Sequence, residues 1–388
     1  MGAGVGGVSL EATLAPAVQD LKTAKRLVVK IGSALLVESD GALRQAWLTA
    51  LAADVAQLRQ GGVEVILVSS GAIAVGRSHL GLPGRPLYLE EKQAAAACGQ
   101  ILLGQAYKEA LAPHDVPVAQ ILLTLSDTEE RRRHLNARAT LNQLLRLGAL
   151  PVVNENDTIA TSEIRIGDND RLAARVAVMT NADTLVLLSD IDGLYTADPR
   201  RDPAARHIPT IERLTPAIMA MGGKAPPGHS SGGMATKLVA ARLAGEGGCR
   251  MAIADGRAAH ALAHLAGGGK ASWFAAVTEP MTARKRWIKA ALDPRGRVRL
   301  DAGAVAALQR GKSLLPAGVT ACEGDFRRGD LVILSDPQGN EVGRGLSAYD
   351  AADALRIRGC QSSEIESLLG FRGREELVHR DDLVLSGD

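Results

Sequence analysis

Aromatic residues and excess charge of either sign are scarce in this chain. Phe, Trp and Tyr make up 3% of its 388 residues, and the formal net charge is only +2 at pH 7. Few rings can therefore stack on the bases of a single-stranded nucleic acid, and the near balance of charge gives no bulk attraction to nucleic acid or to a membrane surface. The core must be built from Ala, Val, Leu and Ile instead.

Cysteine pairs and long apolar runs are also lacking. The four cysteines are scattered without a CxxC pair, which argues against zinc and redox motifs and indicates buried thiols in a reducing compartment. No uncharged apolar run approaches the ~18 residues of a membrane helix. The first residues lack the basic start and apolar stretch of a signal peptide. The sequence therefore predicts a cytoplasmic protein without a membrane span.

The chain does have 46% hydrophobic residues, enough for a packed globular protein, and a length that suggests two domains. In its first part, short apolar runs alternate with Ala- and Leu-rich helical patterns, which predicts a mostly parallel sheet covered by helices on both faces. Ligands of such sheets bind beyond the carboxyl ends of the strands. The predicted strands are 27–31, 63–68, 116–122, 150–153, 184–188 and 250–254.

The pattern changes after a connector that contains Pro280. Short apolar strands at 297–300 and 331–334, with a helix at 304–309 between them and a turn at 336–340, predict a small β-rich module. We expect a flexible N-terminal extension at 1–24, a first domain at 25–278, a linker at 279–295 and a second domain at 296–384.

Two strand ends carry residues suited to anions. Lys30 lies in the first apolar strand, where its ammonium group is costly unless it reaches water or an anion, and Gly32 and Ser33 follow. The second strand ends in Ser69–Gly71 before a helix, whose free N–H groups and positive dipole end favour a carboxylate or phosphate. Each motif alone also fits a simpler interpretation: a lysine that reaches solvent, or an ordinary capped helix start.

Asparagine and aspartate are concentrated in two blocks. Asn154–Asp157 follows the fourth strand directly, and Gly167–Asp170 comes shortly after it. These side chains can grip an ammonium and a carboxylate group together, or orient lysines and a metal ion. Two Asx turns that cap helices are the simpler alternative. Neither block alone identifies a substrate.

A glycine-rich loop enters a helix late in the chain, at 228–237, and ends in Lys237. Its backbone N–H groups can bind phosphates while Lys237 supplies a point charge. The loop is neither a Walker A loop nor a dinucleotide-binding fingerprint, because both spacings are absent. The fifth strand ends in Ser189-Asp190. The loop that follows, at 193–200, either contacts a nucleotide base or is an ordinary surface loop.

In order and spacing, these blocks resemble the glutamate 5-kinase family of the amino acid kinase superfamily. The resemblance covers nearly everything after residue 25. It implies a three-layer α/β sandwich around a mostly parallel sheet, followed by a small β-barrel-like PUA domain. It also implies that the chain uses ATP, with Mg²⁺, to phosphorylate the side-chain carboxylate of glutamate, the first step of proline biosynthesis. The matching blocks are 29–33, 69–74, 154–157, 167–170, 193–200, 232–237, 284–288 and 379–382.

The resemblance implies a role for each matching residue. The catalytic residues are Lys30, Lys237, Asp168 and Asp170. Of these, the lysines neutralise the phosphoryl group, and the aspartates orient the lysines or the magnesium ion, whose direct ligands are not assigned. Glutamate is held by Ser70, Asn154, Asp157 and Asn169. ATP is bound by Lys30, Ser189, Asp190, Ser231, Gly232, Gly233, Met234, Ala235, Thr236 and Lys237.

The residue types agree with this chemistry. A side-chain carboxylate is already ionised at pH 7, so the attacking group needs no general base. Catalysis then consists of alignment and charge neutralisation. This explains why the blocks contain lysines, helix starts and acidic residues and no pairing of a nucleophile with histidine.

Further partners follow from the resemblance alone. It implies feedback inhibition by proline near Ser70 and Asp157, assembly into a homo-oligomer (dimer or tetramer), and hand-over of the product to glutamyl phosphate reductase. Two alternatives remain open. One is a sibling kinase that acts on another carboxylate or on carbamate. The other is an RNA-binding protein that uses the PUA domain, which the few aromatic residues and the low net charge disfavour.

Overall fold

The computed structural model describes residues 21–159, 169–223, 233–282, 285, 288 and 293–386. Contacts divide the chain into two compact units, Met1–Pro280 and Met281–Asp388. Within the described residues, none of the helices combines the length and apolarity that a membrane span requires.

The first unit is built on an eight-stranded sheet. Its strands run in the order β3-β4-β2-β1-β5-β9-β10-β8, while β6 and β7 form a separate hairpin. Neighbouring strands pair in parallel except β9 and β10, which are antiparallel. The strands are β1 (Arg26–Ile31), β2 (Glu64–Val68), β3 (Val118–Leu123), β4 (Leu150–Glu155), β5 (Thr184–Ser189), β6 (Leu194–Tyr195), β7 (His207–Ile208), β8 (Thr210–Ile211), β9 (Arg250–Asp255) and β10 (Ala271–Phe274).

Helices cover both faces of this sheet, because successive side chains of each buried strand point to opposite faces. Leu27 and Val29 of β1 pack into one apolar cluster, and Val28 packs into the other. Both clusters consist mainly of Leu, Val, Ile and Ala, as the shortage of aromatic residues requires. The helices are α1 (Ser33–Leu36), α2 (Gln45–Gln60), α3 (Ala72–His79), α4 (Leu89–Leu111), α5 (Leu125–Glu129), α6 (Arg131–Arg146), α7 (Asn169–Thr180), α8 (Pro216–Ala220), α9 (Met234–Glu246) and α10 (Ala261–Ala266).

The prediction of a mostly parallel α/β sheet is confirmed, and all six predicted strands are present. Two details differ. The fourth strand extends to Glu155, so Asn154 is part of the strand and does not follow it. Strands β8 and β10, at the far edge of the sheet, were not predicted, because runs of two and four residues are too short to show a period.

The second unit contains a five-stranded sheet in the order β12-β11-β13-β14-β15. Its pairs are antiparallel except β11 with β13. The turn predicted between β13 and β14 is present, with the Asp336 N–H donating to the Asn340 carbonyl oxygen. The elements are β11 (Gly296–Leu300), α11 (Ala302–Gln309), β12 (Val319–Gly324), β13 (Leu331–Ser335), β14 (Glu341–Leu346), α12 (Ala351–Ile357), α13 (Ile365–Leu369) and β15 (Leu383–Leu385).

Candidate active site

Strand β1 places a lysine at the carboxyl edge of the first sheet. Lys30 lies two positions after Val28, so both side chains point to the same face of the strand. That face is covered by α7, and Asp170 of α7 places its Oδ1 2.7 Å from Lys30 Nζ. The lysine is only 7% exposed, so this carboxylate satisfies an ammonium group that would otherwise be costly to bury.

A second lysine reaches the same carboxylate from another helix. Lys237 lies in the first turn of α9, and its Nζ donates to Asp170 Oδ2 at 3.0 Å. The hydroxyl of Thr236 donates to the same oxygen at 3.3 Å. Two ammonium groups that are far apart in the sequence therefore meet on opposite oxygens of one aspartate. We call Lys30, Asp170 and Lys237 the lysine–aspartate cluster.

The charges of this cluster stabilise one another. Burial by itself raises the pKa of Asp170, but the ammonium groups of Lys30 and Lys237 outweigh it and hold the pKa at about 2. The carboxylate is therefore ionised at any physiological pH and keeps both lysines in place. Two adjacent, largely desolvated ammonium groups are suited to a ligand with several negatively charged oxygens, such as a phosphoryl group.

Neutral polar side chains lie beside these charges. Asn169, the neighbour of Asp170, donates from Nδ2 to the Ser69 carbonyl oxygen at 2.8 Å, to Ser70 Oγ at 2.9 Å and to Asn154 Oδ1 at 3.1 Å. Its own Oδ1 is buried and has no hydrogen-bond partner among the described residues. We call Ser70, Asn154 and Asn169 the amide cluster.

Helix α3 begins directly after the amide cluster. Gly71, its N-cap, has φ +97°, a left-handed conformation that favours glycine. A Cβ there would also lie 3.0 Å from Val37 Cγ2. Within the described residues no side chain caps this helix, which leaves its first N–H groups and its positive dipole end for a bound anion.

Asp157 lies just beyond the end of β4, at the same edge of the sheet. Its burial raises its pKa to about 6, because the charged form loses hydration. In the described part of the chain, Asp157 makes no hydrogen bond to either cluster. A partly buried carboxyl group whose charge is poorly compensated is suited to a cationic ligand group.

Of the other residues predicted to bind ATP, those that the structure describes flank the lysine–aspartate cluster. Ser189 is buried at the end of β5, the neighbour of β1, and its hydroxyl donates to Asp190 Oδ1 at 3.1 Å. Gly233 is the N-cap of α9, and 234–237 form its first turn. Asp168, Ser231 and Gly232 lie outside the described residues.

The loop after β5 is tied to β10 by a polar group at this edge. Lys270 Nζ lies 2.7 Å from Asp192 Oδ2 and donates to Tyr195 OH at 2.8 Å. Tyr195 OH in turn donates to Asp192 Oδ1 at 2.9 Å. Because β10 runs antiparallel to β9, its first residues lie at the carboxyl edge of the sheet. The loop is therefore held near the candidate site.

The sequence did not point to two buried polar residues behind the amide cluster, Gln100 and Tyr107. Gln100 of α4 accepts from Asn154 Nδ2 at 2.8 Å, and Tyr107 shares a hydrogen bond of 2.9 Å with Ser69 Oγ. Gln100 and Tyr107 are seven positions apart, two turns of one helix, so they lie on the same face. Polar groups at this spacing in an Ala- and Leu-rich helix are the signal that could have revealed them.

Comparisons with known proteins concern the chain as a whole. The model of the amino acid kinase family matches residues 25–255, and that of the PUA domain matches residues 296–369. A relative from Paramagnetospirillum magneticum, named glutamate 5-kinase, is 60% identical over 95% of this chain and 99% of its own length. One from Cereibacter sphaeroides, with the same name, is 58% identical over 94% of this chain and 98% of its own.

Among solved structures, carbamate kinase from Giardia lamblia bound to AMP-PNP is similar at 14% sequence identity, with a TM-score of 0.47. The similarity covers 66% of this chain and 99% of that one.

Proposed function

The chain belongs to the amino acid kinase family and carries a PUA domain, and we propose that it transfers the γ-phosphoryl group of ATP to the side-chain carboxylate of glutamate. One observation carries this proposal more than any other: two buried lysines share one carboxylate directly beside a cluster of neutral amides. The first group suits a migrating phosphoryl unit, and the second suits a small polar acid. The naming of close relatives as glutamate 5-kinases supports it.

The proposed reaction is a direct transfer. An oxygen of the glutamate side-chain carboxylate attacks the γ-phosphorus of ATP, and a new O–P bond forms. The bond from this phosphorus to the bridging oxygen breaks, and ADP leaves with its electron pair. Lys30 and Lys237 neutralise the charge on the transferring oxygens, and Asp170 holds both ammonium groups in place. By analogy with the loss of one oxyanion donor, each lysine contributes about 3–4 kcal/mol to lowering the barrier.

We propose that glutamate binds across the amide cluster. Its α-ammonium group lies between Asp157 and the Oδ1 of Asn169, because both are acceptors. The Ser70 hydroxyl, which accepts from Asn169, keeps its own hydrogen for a carboxylate oxygen of the substrate. Asn154 supports Asn169, and the start of α3 faces the same negative charge.

The proposed nucleotide site lies on the other side of the lysines. Ser189 and Asp190, at the end of β5, bind ATP together with the start of α9. In this proposal the residues 231–237 cradle the phosphates through their backbone N–H groups, and Lys30 and Lys237 contact the phosphates directly.

The side chains present fit a magnesium ion that enters with ATP. Among the described residues, no group of three or more metal-ligating side chains occurs, and both oxygens of Asp170 are engaged by lysines. Mg²⁺ keeps water and phosphate ligands and needs only one or two carboxylates. We therefore assign Asp170 to orienting the lysines and Asp168 to holding the ion, which neutralises phosphate charge when it is bound.

Further features of the proposal concern partners and organisation. Proline competes with glutamate near Ser70 and Asp157, since both ligands carry an α-amino group and a carboxylate. The chain forms a homo-oligomer, its product passes to glutamyl phosphate reductase, and it works in the cytoplasm, where its four free cysteines stay reduced. The domains are a kinase domain at 25–278, a linker at 279–295 and a PUA domain at 296–384, which the division near Pro280 supports.

Glutamate-dependent release of ADP tests the function. The assay compares glutamate with aspartate, acetylglutamate and carbamate, and hydroxylamine traps the acyl phosphate as a hydroxamate. We expect turnover and hydroxamate with glutamate, and added proline should raise the KM for glutamate without lowering kcat. Turnover with another acid and none with glutamate would support a sibling kinase. Tight RNA binding without any ATP turnover would support the RNA-binding alternative.

A further inference from the structure

Gln100 stands out because it is a buried polar side chain on a helix that contributes no residue to the proposed reaction. It lies in α4, whose buried face is otherwise mostly Ala, Leu and Gly. Only 9% of its surface is exposed. Its Oε1 accepts a hydrogen bond of 2.8 Å from Nδ2 of Asn154 in β4. A buried polar contact between a helix and a strand end needs a reason, because apolar packing would hold them together equally well.

The contact continues through a chain of amides, each with a defined direction. Asn154 Oδ1 accepts from the Glu155 backbone N–H at 2.9 Å and from Asn169 Nδ2 at 3.1 Å. Rotating Asn154 by 180° would place its NH₂ group against both of these donors and its oxygen against the oxygen of Gln100. Gln100 and Glu155 therefore hold Asn154 in one orientation from its two ends.

The orientation of Asn154 contributes to that of Asn169. The Asn169 Nδ2 group faces three acceptors: the Ser69 carbonyl oxygen, Ser70 Oγ and Asn154 Oδ1. Its Oδ1 must therefore point away from them. That oxygen is buried and has no hydrogen-bond partner in the described ranges of the chain. A buried acceptor in this state favours a ligand that donates a hydrogen bond.

Glutamate has only one such donor at neutral pH. Both of its carboxylates are acceptors, and only its α-ammonium group carries hydrogens to donate. We propose that Gln100 is a positioning residue that, through Asn154, keeps the Oδ1 of Asn169 turned toward the α-ammonium group of the substrate. This inference rests on the proposed binding of glutamate, and it adds the residue that makes the site select an amino acid over a plain dicarboxylic acid.

A purely structural role for Gln100 makes a different prediction. If the residue only held α4 against β4, its loss would weaken the binding of any acid in the pocket to a similar extent. If it orients Asn169, its loss affects only ligands that carry an ammonium group. Glutarate is glutamate without that group, so the ratio of the two affinities separates the roles.

The test measures the dissociation constants of glutamate and glutarate by titration calorimetry on the full-length chain. Gln100→Met keeps the length and volume of the side chain and removes the carbonyl acceptor. Gln105→Met is the matched control, because Gln105 lies on the exposed side of the same helix and donates to Glu109. Gln100→Glu keeps an acceptor oxygen and serves as the rescue variant.

We expect Gln100→Met to weaken glutamate binding about tenfold, the effect of one hydrogen bond to a charged group, and to leave glutarate binding within about twofold. Gln105→Met should match the wild type in both constants. An equal loss for both acids in Gln100→Met would overturn the proposal. Gln100→Glu should bind both acids as the wild type does. If Gln100→Met does not fold, Gln100→Leu replaces it under the same criterion: a loss confined to glutamate supports the proposal, and an equal loss for both acids overturns it. Wild-type protein that binds neither acid would refute the proposed function itself.

Discussion

The lysine–aspartate cluster and the amide cluster are adjacent, yet they are built from different chemistry. The first consists of buried full charges that balance one another, and its aspartate has a pKa of about 2. The second consists of neutral amides and a hydroxyl joined by hydrogen bonds of 2.8–3.1 Å. The first turn of α7 joins the two clusters, because Asn169 of the amide cluster and Asp170 of the lysine–aspartate cluster are consecutive residues.

This difference follows from what each end of the proposed site must do. Charge is redistributed on the phosphoryl group during transfer, and fixed full charges stabilise that change most strongly. The α-ammonium and α-carboxylate groups of glutamate keep their charges during the transfer. They need to be bound in one orientation, and amides with directional hydrogen bonds can do this. If this comparison is correct, variants of the first cluster should affect kcat and stability, and variants around the second should affect the KM for glutamate.

Replacing the shared carboxylate should have the largest effect. Asp170→Asn removes the buried anion that both ammonium groups share, so we expect the free energy of unfolding at pH 7 to fall by about 3–5 kcal/mol. Asp255→Asn is the control, because that carboxylate pairs with the exposed Arg257, and exposed pairs contribute about 0–1 kcal/mol. Urea denaturation measures both. Equal losses would contradict the central role of Asp170.

The same carboxylate should also shape the acid stability of the wild type. Its pKa lies below the ordinary value, so its ionised form stabilises the fold above about pH 4. That contribution, about 2 kcal/mol, should disappear as the pH falls from about 4 to 2. Asp170→Asn should lack this part of the pH dependence. If the free energy of unfolding of the variant depended on pH as that of the wild type does, the stabilisation would come from other groups.

Removing one lysine should separate catalysis from substrate binding. We expect Lys237→Met to lower kcat by about 10²–10³-fold, the effect of losing one oxyanion donor, while the dissociation constant of glutamate changes less than about threefold. Steady-state ADP release and calorimetry measure the two quantities. Lys108→Met, an exposed lysine on α4, should behave as wild type. Equal losses of kcat and of glutamate affinity would mean that the two clusters do not have separate roles in catalysis and substrate binding.

Lowering the pH should weaken glutamate binding, because it protonates Asp157. This is the smallest of the expected effects at neutral pH. Burial raises the pKa of this carboxyl to about 6, so below pH 6 it is neutral and no longer attracts an ammonium group. We expect the KM for glutamate to rise about tenfold between pH 7 and pH 5. Asp157→Asn should have a raised KM that stays flat over this range. A wild-type KM that does not change with pH would remove Asp157 from the site.

The same variant should be more stable than the wild type at pH 7. The folded chain binds the Asp157 proton more tightly than the unfolded chain does, so stability falls as the pH rises from about 4 to 6. Asp157→Asn removes the cost of burying an ionised carboxylate. A gain in melting temperature together with a loss of glutamate affinity is therefore expected.

Much of the fold could be predicted because its signals are local. The buried parallel strands are continuous apolar runs between helical patterns, and all six that the pattern predicted are present. β8 and β10 were missed because strands this short carry no period. The candidate residues were also recognisable one block at a time. A lysine in an apolar strand and asparagines at a strand end are conspicuous, since burying them has a cost.

The contact made by Gln100 could not be predicted from the sequence. Its identity is visible in the sequence, yet nothing near it suggests a partner, because Asn154 lies in another element many residues later. The direction of an amide depends on which donors and acceptors surround it in space. No period or motif along the chain encodes that information.

By itself, the sequence determined the alternation of strands and helices, the edge of the sheet where charged and polar residues gather and the residue types found there. These follow from periodicity, turn chemistry and the cost of burying polar groups, all of which act over a few neighbouring residues. Only the tertiary structure decided that one aspartate would hold both lysines and that a helix glutamine would orient the asparagines. Such contacts join segments that only the packing of the sheet brings within a few ångströms.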